Sequence, residues 1–162
     1  MSKGVKKVLA ILVSVCAVCG VLRAQDMVYL EYCETLSFDQ NRLPDAQLLK
    51  GNVRFRHEDA LMYCDSAYFY EKSNSLDAFG HVRFVQGDTL EGTGDVLYYN
   101  GNTKLARLHN NVVLTHITTI LKTDSLYYDR QRNLSYYFTG GNIRDGQDSL
   151  WSVWGSYNVS TK

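Results

Sequence analysis

One phrase returns along this chain at a nearly constant interval, and a fold that accommodates it must itself be repetitive. Gly51-Asn52-Val53-Arg54-Phe55 comes back as Gly80-His81-Val82-Arg83-Phe84, as Asn110-Asn111-Val112-Val113-Leu114 and as Gly141-Asn142-Ile143-Arg144. A second block keeps the same period: Cys64-Asp65-Ser66-Ala67-Tyr68-Phe69, Gly94-Asp95-Val96-Leu97-Tyr98-Tyr99 and Thr123-Asp124-Ser125-Leu126-Tyr127-Tyr128, with a weaker copy at Cys33-Glu34-Thr35-Leu36-Ser37-Phe38. A third block precedes each glycine position: Leu76-Asp77-Ala78, Leu105-Ala106-Arg107 and Leu134-Ser135-Tyr136. Three blocks on one period of about 30 residues mark a stacked repeat architecture.

Within each repeat the apolar spacing is two, as in Val53/Phe55, Val82/Phe84, Val112/Leu114, Leu97/Tyr99 and Leu126/Tyr128. That is strand periodicity with one buried face. Turn-forming clusters separate the strands at Lys72-Ser73-Asn74-Ser75, Asn100-Gly101-Asn102 and Gly140-Gly141-Asn142. Beyond Gln25 no stretch sustains a capped apolar helical period. The expected fold is all-β, a jelly-roll or solenoid-like stack in which each repeat adds a rung to one core. The chain from Gln25 to Lys162 provides between four and five rungs. At about 4.8 Å per rung the stack would be about 22 Å tall.

The segment before Asp26 reads as a secretory leader. Lys3, Lys6 and Lys7 form a basic start, and an apolar run follows from Val8 to Leu22. That run is short for a bilayer span, which needs about 20 residues, and suits a signal peptide cleaved after Ala24. A lipoprotein leader using Cys16 or Cys19 and an uncleaved anchor are the alternatives. The expected organisation is signal peptide 1–24 and one β-domain 25–162, located in the periplasm, and associated with a membrane if the leader is retained. Net charge is zero, but Lys3, Lys6, Lys7 and Arg23 precede every Asp and Glu, so without them 13 bases face 17 acids, a net −4. An acidic body is a poor polyanion binder, so nucleic acid is not expected as a partner.

Beyond the leader only Cys33 and Cys64 remain. They occupy one repeat slot a rung apart, where neighbouring strands lie about 5 Å from each other, within disulfide range. A bond between them in an oxidising compartment is therefore expected, the alternative being two small buried thiols that fill tight positions. No Cys-x-x-Cys or Cys/His cluster survives there, so neither a metal site nor a cofactor is expected. His57, His81, His109 and His116 lack metal-ligand spacing and read as surface or turn residues.

The repeated phrase, a V-x-F strand, an acidic kink, L-x-Y and then L-x-A-x-G-x-V, resembles the OstA-like family of LptA-type periplasmic lipopolysaccharide-transport proteins. It is carried by Val53/Phe55, Asp65/Ala67/Phe69, Leu76/Ala78/Gly80/Val82, Asp95/Leu97/Tyr99 and Asp124/Leu126/Tyr128, over about residues 30 to 145. Arg107 in place of Ala78 and Asn110 in place of Gly80 depart from it. The resemblance implies a twisted jelly roll of two facing sheets, V-shaped and open along one side. Acyl chains of lipopolysaccharide or a related glycolipid would lie between the sheets. Copies of the chain, or homologous β-domains of a transport machinery, would join head to tail through unpaired strands.

The inward residues expected to form the core and line such a groove are Val53, Phe55, Phe69, Val82, Phe84, Leu97, Tyr99, Val112, Leu114, Leu126, Tyr128 and Ile143, with Leu105 and Leu134 beside them. Glu34, Asp65, Asp95 and Asp124 recur where inward parity changes. They read as carboxylates that satisfy backbone amides at a bulge, rather than as a cation ladder or catalytic groups. Arg54, Arg83 and Arg144 share a slot interrupted by Val113. They read as a solvated face or as contacts to glycolipid phosphate, which forked guanidinium groups suit. The functions in competition are a lipid-carrying bridge, an exported structural or adhesive β-solenoid without a small ligand, and a glycan-processing β-helix enzyme. The regular acidic column argues against the last, because a column is not a unique catalytic site.

Overall fold

A computed structural model describes residues 26–38 and 44–160. The leader and its cleavage point lie outside the described residues. No helix among those described is long and apolar enough to cross a membrane. About 72% of the described residues are in strands and none is helical, so the all-β expectation holds.

Six long antiparallel strands form the body: β3 (Gln47–His57), β4 (Ala60–Tyr70), β5 (Ser75–Gln86), β6 (Leu90–Asn100), β7 (Leu105–His116) and β8 (Thr119–Asp129). Two short strands cover β3, namely β1 (Tyr29–Tyr32) and β2 (Thr35–Phe38). At the other end β9 (Leu134–Tyr137) and β10 (Gly141–Asp145) both pair with β8, followed outward by β12 (Gly155–Asn158) on β9 and β11 (Asp148–Ser152) on β10.

Each long strand bends near its middle. Gly51-Asn52 on β3 lies between the pairs Lys50↔Ser66 and Val53↔Cys64, so two residues face the single Asp65. Gly80-His81 faces Asp95, and Asn110-Asn111 faces Asp124, in the same way. All six members of these pairs have left-handed φ, from 44° to 80°. A two-against-one bulge disrupts the ladder locally and bends the strand. It also explains the parity switch within β4, where Ala60, Met62 and Cys64 are buried and then Ala67 and Phe69.

The bend divides every long strand between two arms. Arm A holds β2, the N-terminal parts of β3, β5 and β7, the C-terminal parts of β4, β6 and β8, then β9 and β12. Arm B holds β1, the remaining parts, β10 and β11. The arms face each other across one core. Phe55 of arm B packs on Phe69 of arm A, with ring centroids 5.3 Å apart. Phe84 of arm B meets Tyr99 at 6.3 Å and Tyr128 at 5.9 Å, both of arm A.

Two expectations need correction. One repeat supplies a hairpin of two long strands, not one rung. The path β1-β3-β4-β5-β6-β7-β8-β10-β11 is nine strands wide, or about 38 Å at strand spacing rather than about 22 Å. The leucine-led block is also displaced by one residue. Pairing aligns Leu76 through Tyr99 with Ala106, and Ala106 through Tyr128 with Ser135. Leu105 therefore points outward at 36% exposure, while Ala106 and Leu108 fill the core. Leu134 is likewise only half-buried, and Ser135 and Tyr137 take the inward places.

Three members of the acidic column each have a structural partner at a bend, while the fourth, Asp124, accepts from the neighbouring Ser125 hydroxyl. Asn52 Nδ2 donates to Glu34 Oε1, His81 Nδ1 lies against Asp65 Oδ2, and Asn111 Nδ2 donates to Asp95 Oδ2, each at 2.7 Å. These carboxylates thus hold the second left-handed residue of the following strand, where backbone amides were the expected partners. The carboxylate also fills the space above the first residue. A Cβ on Gly80 would stand 2.4 Å from Asp65 Oδ2. Gly80→Ala, which adds strain at φ +77° to that collision, is expected to cost about 2 kcal/mol. Gly87 has φ +56° and nothing within 4 Å of an added Cβ, so Gly87→Ala should cost about 1 kcal/mol or less. Urea unfolding of the two variants checks the difference.

Candidate functional site: a filled interior with uncovered ends

The interior is one continuous cluster. Val53, Phe55, Phe69, Val82, Phe84, Leu97, Tyr99, Val112, Leu114, Leu126 and Tyr128 are all buried in it, and Ile143 packs against it partly buried. Burying this apolar surface drives the arms together. Burial also pushes the Tyr128 phenol up to about 12.

Among the described residues, nothing caps the core at either end of the stack. Directly opposed residues on antiparallel strands share a face. Leu36 opposes the buried Leu49, and Phe38 opposes Gln47, which opposes the buried Phe69. Leu36 and Phe38 are therefore core-facing, yet they remain 45% and 62% exposed. At the far end Leu150 opposes Ile143, which opposes the buried Leu121, and Leu150 is 62% exposed. Among the described residues, the outermost strands β1, β2, β11 and β12 also have one edge without a partner strand.

Side chains bridge the long side of the V, the side that the resemblance implies to be open. Arg130, in the arm A turn after β8, reaches across to arm B. Its side chain is 2% exposed. Nη2 donates to Asp59 Oδ1 at 2.7 Å, Nε to Gln86 Oε1 at 3.1 Å, and Nη1 to Tyr99 Oη at 2.6 Å. Tyr99 Oη in turn lies 2.6 Å from His57 Nδ1, and His57 Nε2 lies 3.2 Å from the Asp26 carbonyl. A carbonyl only accepts, so Nε2 carries the proton and the neutral Nδ1 accepts from Tyr99. Residues 26–28 run over this network as a strap. Val28 N donates to Asn74 Oδ1 at 2.7 Å, and Asn74 Nδ2 donates to the Asp26 carbonyl at 2.9 Å. Lys104 pairs with Glu58 and with Asp26. Further along, His116 Nδ1 lies 2.8 Å from Tyr157 Oη, again across the seam.

His57 and His116 are thus buried inside strand ends, which corrects the surface reading of the histidines; His81 is exposed and His109 half-buried. Burial, then the nearby Arg130 charge, pushes the His57 imidazole below its ordinary value of 6.5. A base whose folded value is depressed stabilises fully above its unfolded value, and that contribution is lost as pH falls below 6.5. Stability to urea should therefore fall between pH 7.5 and pH 5, and fall less in His57→Gln. An equal fall in both proteins would remove His57 as the cause.

The expected arginine slot is only partly formed. Arg54, Tyr63, Arg83, Thr93, Val113, Lys122 and Asn142 lie in one row on the outer face of arm B. Arg144 stands in the next row, opposite Ile120. The last repeat is broken between β9 and β10, with Gly140 rather than Gly141 at positive φ, so its residues fall two places out of step. Arg54 is paired with Glu31 at 2.8 Å and Arg83 with Glu91 at 2.7 Å. Arg144 donates to the Gly146 carbonyl.

The expected disulfide is absent. Both cysteines are free. Cys64 opposes Val53 on β3, whereas Cys33 lies between β1 and β2 on the other side of that strand. Two strand spacings, about 10 Å, exceed disulfide reach. Equivalent positions in adjacent repeats are two strands apart because each repeat is a hairpin. Burial pushes the Cys64 thiol up to about 12. Thiol titration of protein lacking residues 1–24 should find two free thiols, with Cys64 silent until unfolding; a protected pair would reject this. Among the described residues no group of three or more His, Cys, Asp or Glu side chains could hold a metal ion.

A bent antiparallel sheet whose arms enclose one apolar interior, and which ends in unpaired strands with core-facing side chains uncovered, is an open-ended β-jelly roll. A family profile described as OstA-like protein matches residues 25–162, and the chain belongs to that family. Its fold is similar to the crystal structure of LptH from Pseudomonas aeruginosa, described as the LptA homologous periplasmic component of the lipopolysaccharide transport device. That likeness has a TM-score of 0.60 at 11% identity and covers 68% of this chain and 82% of that one. No curated protein matches the chain in sequence.

Proposed function

We propose that this chain is a non-enzymatic periplasmic bridge domain that carries the acyl part of lipopolysaccharide or a related glycolipid between its arms. The observation that carries the reading is the pair of uncovered core ends, Leu36 and Phe38 at one and Leu150 at the other. An end-to-end neighbour would continue both the sheet and the apolar interior. Main-chain pairing at the edge strands demands little of side chains, and lipid tails need an interior without polar groups. Family membership supports the reading, as does the transport role stated for LptH. The neighbour would be a homologous β-domain or a second copy of the chain. Residues 1–24 would direct export as a cleaved leader. Arg54 and Arg83, on the outer face and already paired, and Arg144 beyond them, remain candidate phosphate contacts only if their present partners yield.

The filled core favours a second reading, an exported structural or adhesive solenoid without a small ligand. One experiment decides between them. A photoreactive residue placed at Phe84 or Leu114 should give a lipid adduct in cells, and sizing should show concentration-dependent association or capture by a homologous β-domain. A strict monomer without any lipid adduct would overturn the bridge and leave the solenoid.

A further inference from the structure

The outer face of arm A carries a row of side chains that neither the core nor the seam uses. Cross-strand pairing puts Tyr68, Asp77, Tyr98, Arg107, Tyr127 and Tyr136 in one line across β4 to β9. At strand spacing the line is about 24 Å long. Part of it is concave: a depression of about 450 Å³ is bounded by Asp77, Tyr98, Arg107, Tyr127 and Tyr136. That volume lies in the range of small-ligand sites.

The rings are held by one another. Tyr127 and Tyr136 stack with centroids 5.1 Å apart and planes 7° from parallel. The Arg107 guanidinium lies 5.6 Å from the Tyr98 ring centroid. His109, in the neighbouring row, meets both Tyr98 and Tyr127 edge-on. The polar groups that converge here make few hydrogen bonds, although the Arg107 charge acts on the Asp77 carboxylate. Among the described residues, no hydrogen bond or ion pair involves the Arg107 guanidinium or the hydroxyls of Tyr98, Tyr127 and Tyr136. Asp77 accepts only from Tyr70 Oη, at 3.3 Å.

These features define a ligand chemistry. Tyrosines give rigid amphipathic contact area at little entropic cost. Three phenols, one guanidinium fork and one carboxylate supply donors and acceptors along the row. One acid and one base in the row cancel, so the face has no attraction for a polyanion. A molecule with apolar C–H faces, a rim of hydroxyls and no net charge complements it, and a pyranose has all three. The strand spacing that sets the row also approximates the rise of an extended hexose chain.

We propose that the outer face of arm A binds a neutral linear oligosaccharide, its rings lying along the tyrosine row and its hydroxyls bonded by Arg107 and Asp77. This face is turned away from the interior, so the glycan would be a ligand separate from any acyl chain.

The test titrates protein lacking residues 1–24 with maltohexaose, cellohexaose and chitohexaose, read by saturation-transfer NMR and calorimetry. At least one hexasaccharide should bind, and Arg107→Ala and Tyr98→Ala should each weaken it about tenfold. Tyr63→Ala, on the outer face of arm B, should leave it unchanged. Arg107 is exposed, so its loss reports on binding without threatening the fold. Absence of binding by all three sugars overturns the proposal, as does binding that survives both arm A substitutions. Lipid crosslinking from Phe84 or Leu114 reads the interior alone, so failure of either reading is visible without the other.

Discussion

Arg130→Ala should lower the unfolding free energy by about 3 kcal/mol, more than any other charge-removing substitution in the body of the protein. Its guanidinium is buried, joins Asp59 and Gln86 across the seam, and bonds Tyr99 on its own arm. Removing it deletes several charge-assisted bonds and leaves a hole between the arms. Arg83→Ala provides the comparison, because that side chain is 47% exposed and paired with a carboxylate that is equally wet. Such pairs contribute about 0–1 kcal/mol. Urea midpoints of the two variants should differ accordingly. Equal losses would mean that the seam network is not what joins the arms.

Phe84→Ala should cost about 3–5 kcal/mol, the range for truncating a buried aromatic side chain. Phe84 is almost wholly buried and touches rings on the opposite arm at two strands, Tyr99 and Tyr128. Its loss empties the middle of the core instead of one side of it. Phe38→Ala, at the uncovered end, should cost far less in the isolated protein, because that ring is already in water. The ratio of the two losses measures how the core is distributed along the stack. A Phe38 variant as unstable as the Phe84 variant would show that its end is covered in solution.

Much of this architecture is readable from the residues, for a physical reason. A strand with one buried face must alternate, so Val53/Phe55 and Val82/Phe84 announce themselves. A bulge must switch parity and recruit left-handed residues, so the acidic kinks and Gly51-Asn52 or Gly80-His81 are equally visible. The number of strands per repeat is not, because Asp65-type kinks and Gly80-type bends alternate within one period. Taking a hairpin for a rung puts Cys33 beside Cys64, with β3 unseen between them. The seam network is hidden for the opposite reason. It is made once, by residues that break the repeat: Arg130 stands where the equivalent turns begin with Glu71 and Gly101. Period-based reading averages such a position away. The one available clue is a basic residue at a turn position otherwise held by an acid and a glycine. The outer tyrosines repeat, but Tyr68, Tyr98 and Tyr127 adjoin inward residues and are absorbed into the strand pattern.

Because the bends in β3 to β8 align, they form a spine that both arms share, as two covers share the binding of a book. Interstrand bonds run along each cover and are interrupted only at the spine, at residues already left-handed and held by side-chain carboxylates. Swinging the covers apart therefore turns torsions at the spine while every ladder stays intact. Under the proposed bridge function, the work of admitting an acyl chain would be set by the clasp and by the apolar contact between the covers, and not by the sheet. Lengthening the chain by whole hairpins would lengthen the book and add to that apolar contact, raising the total resistance in proportion while leaving the resistance per hairpin as it is.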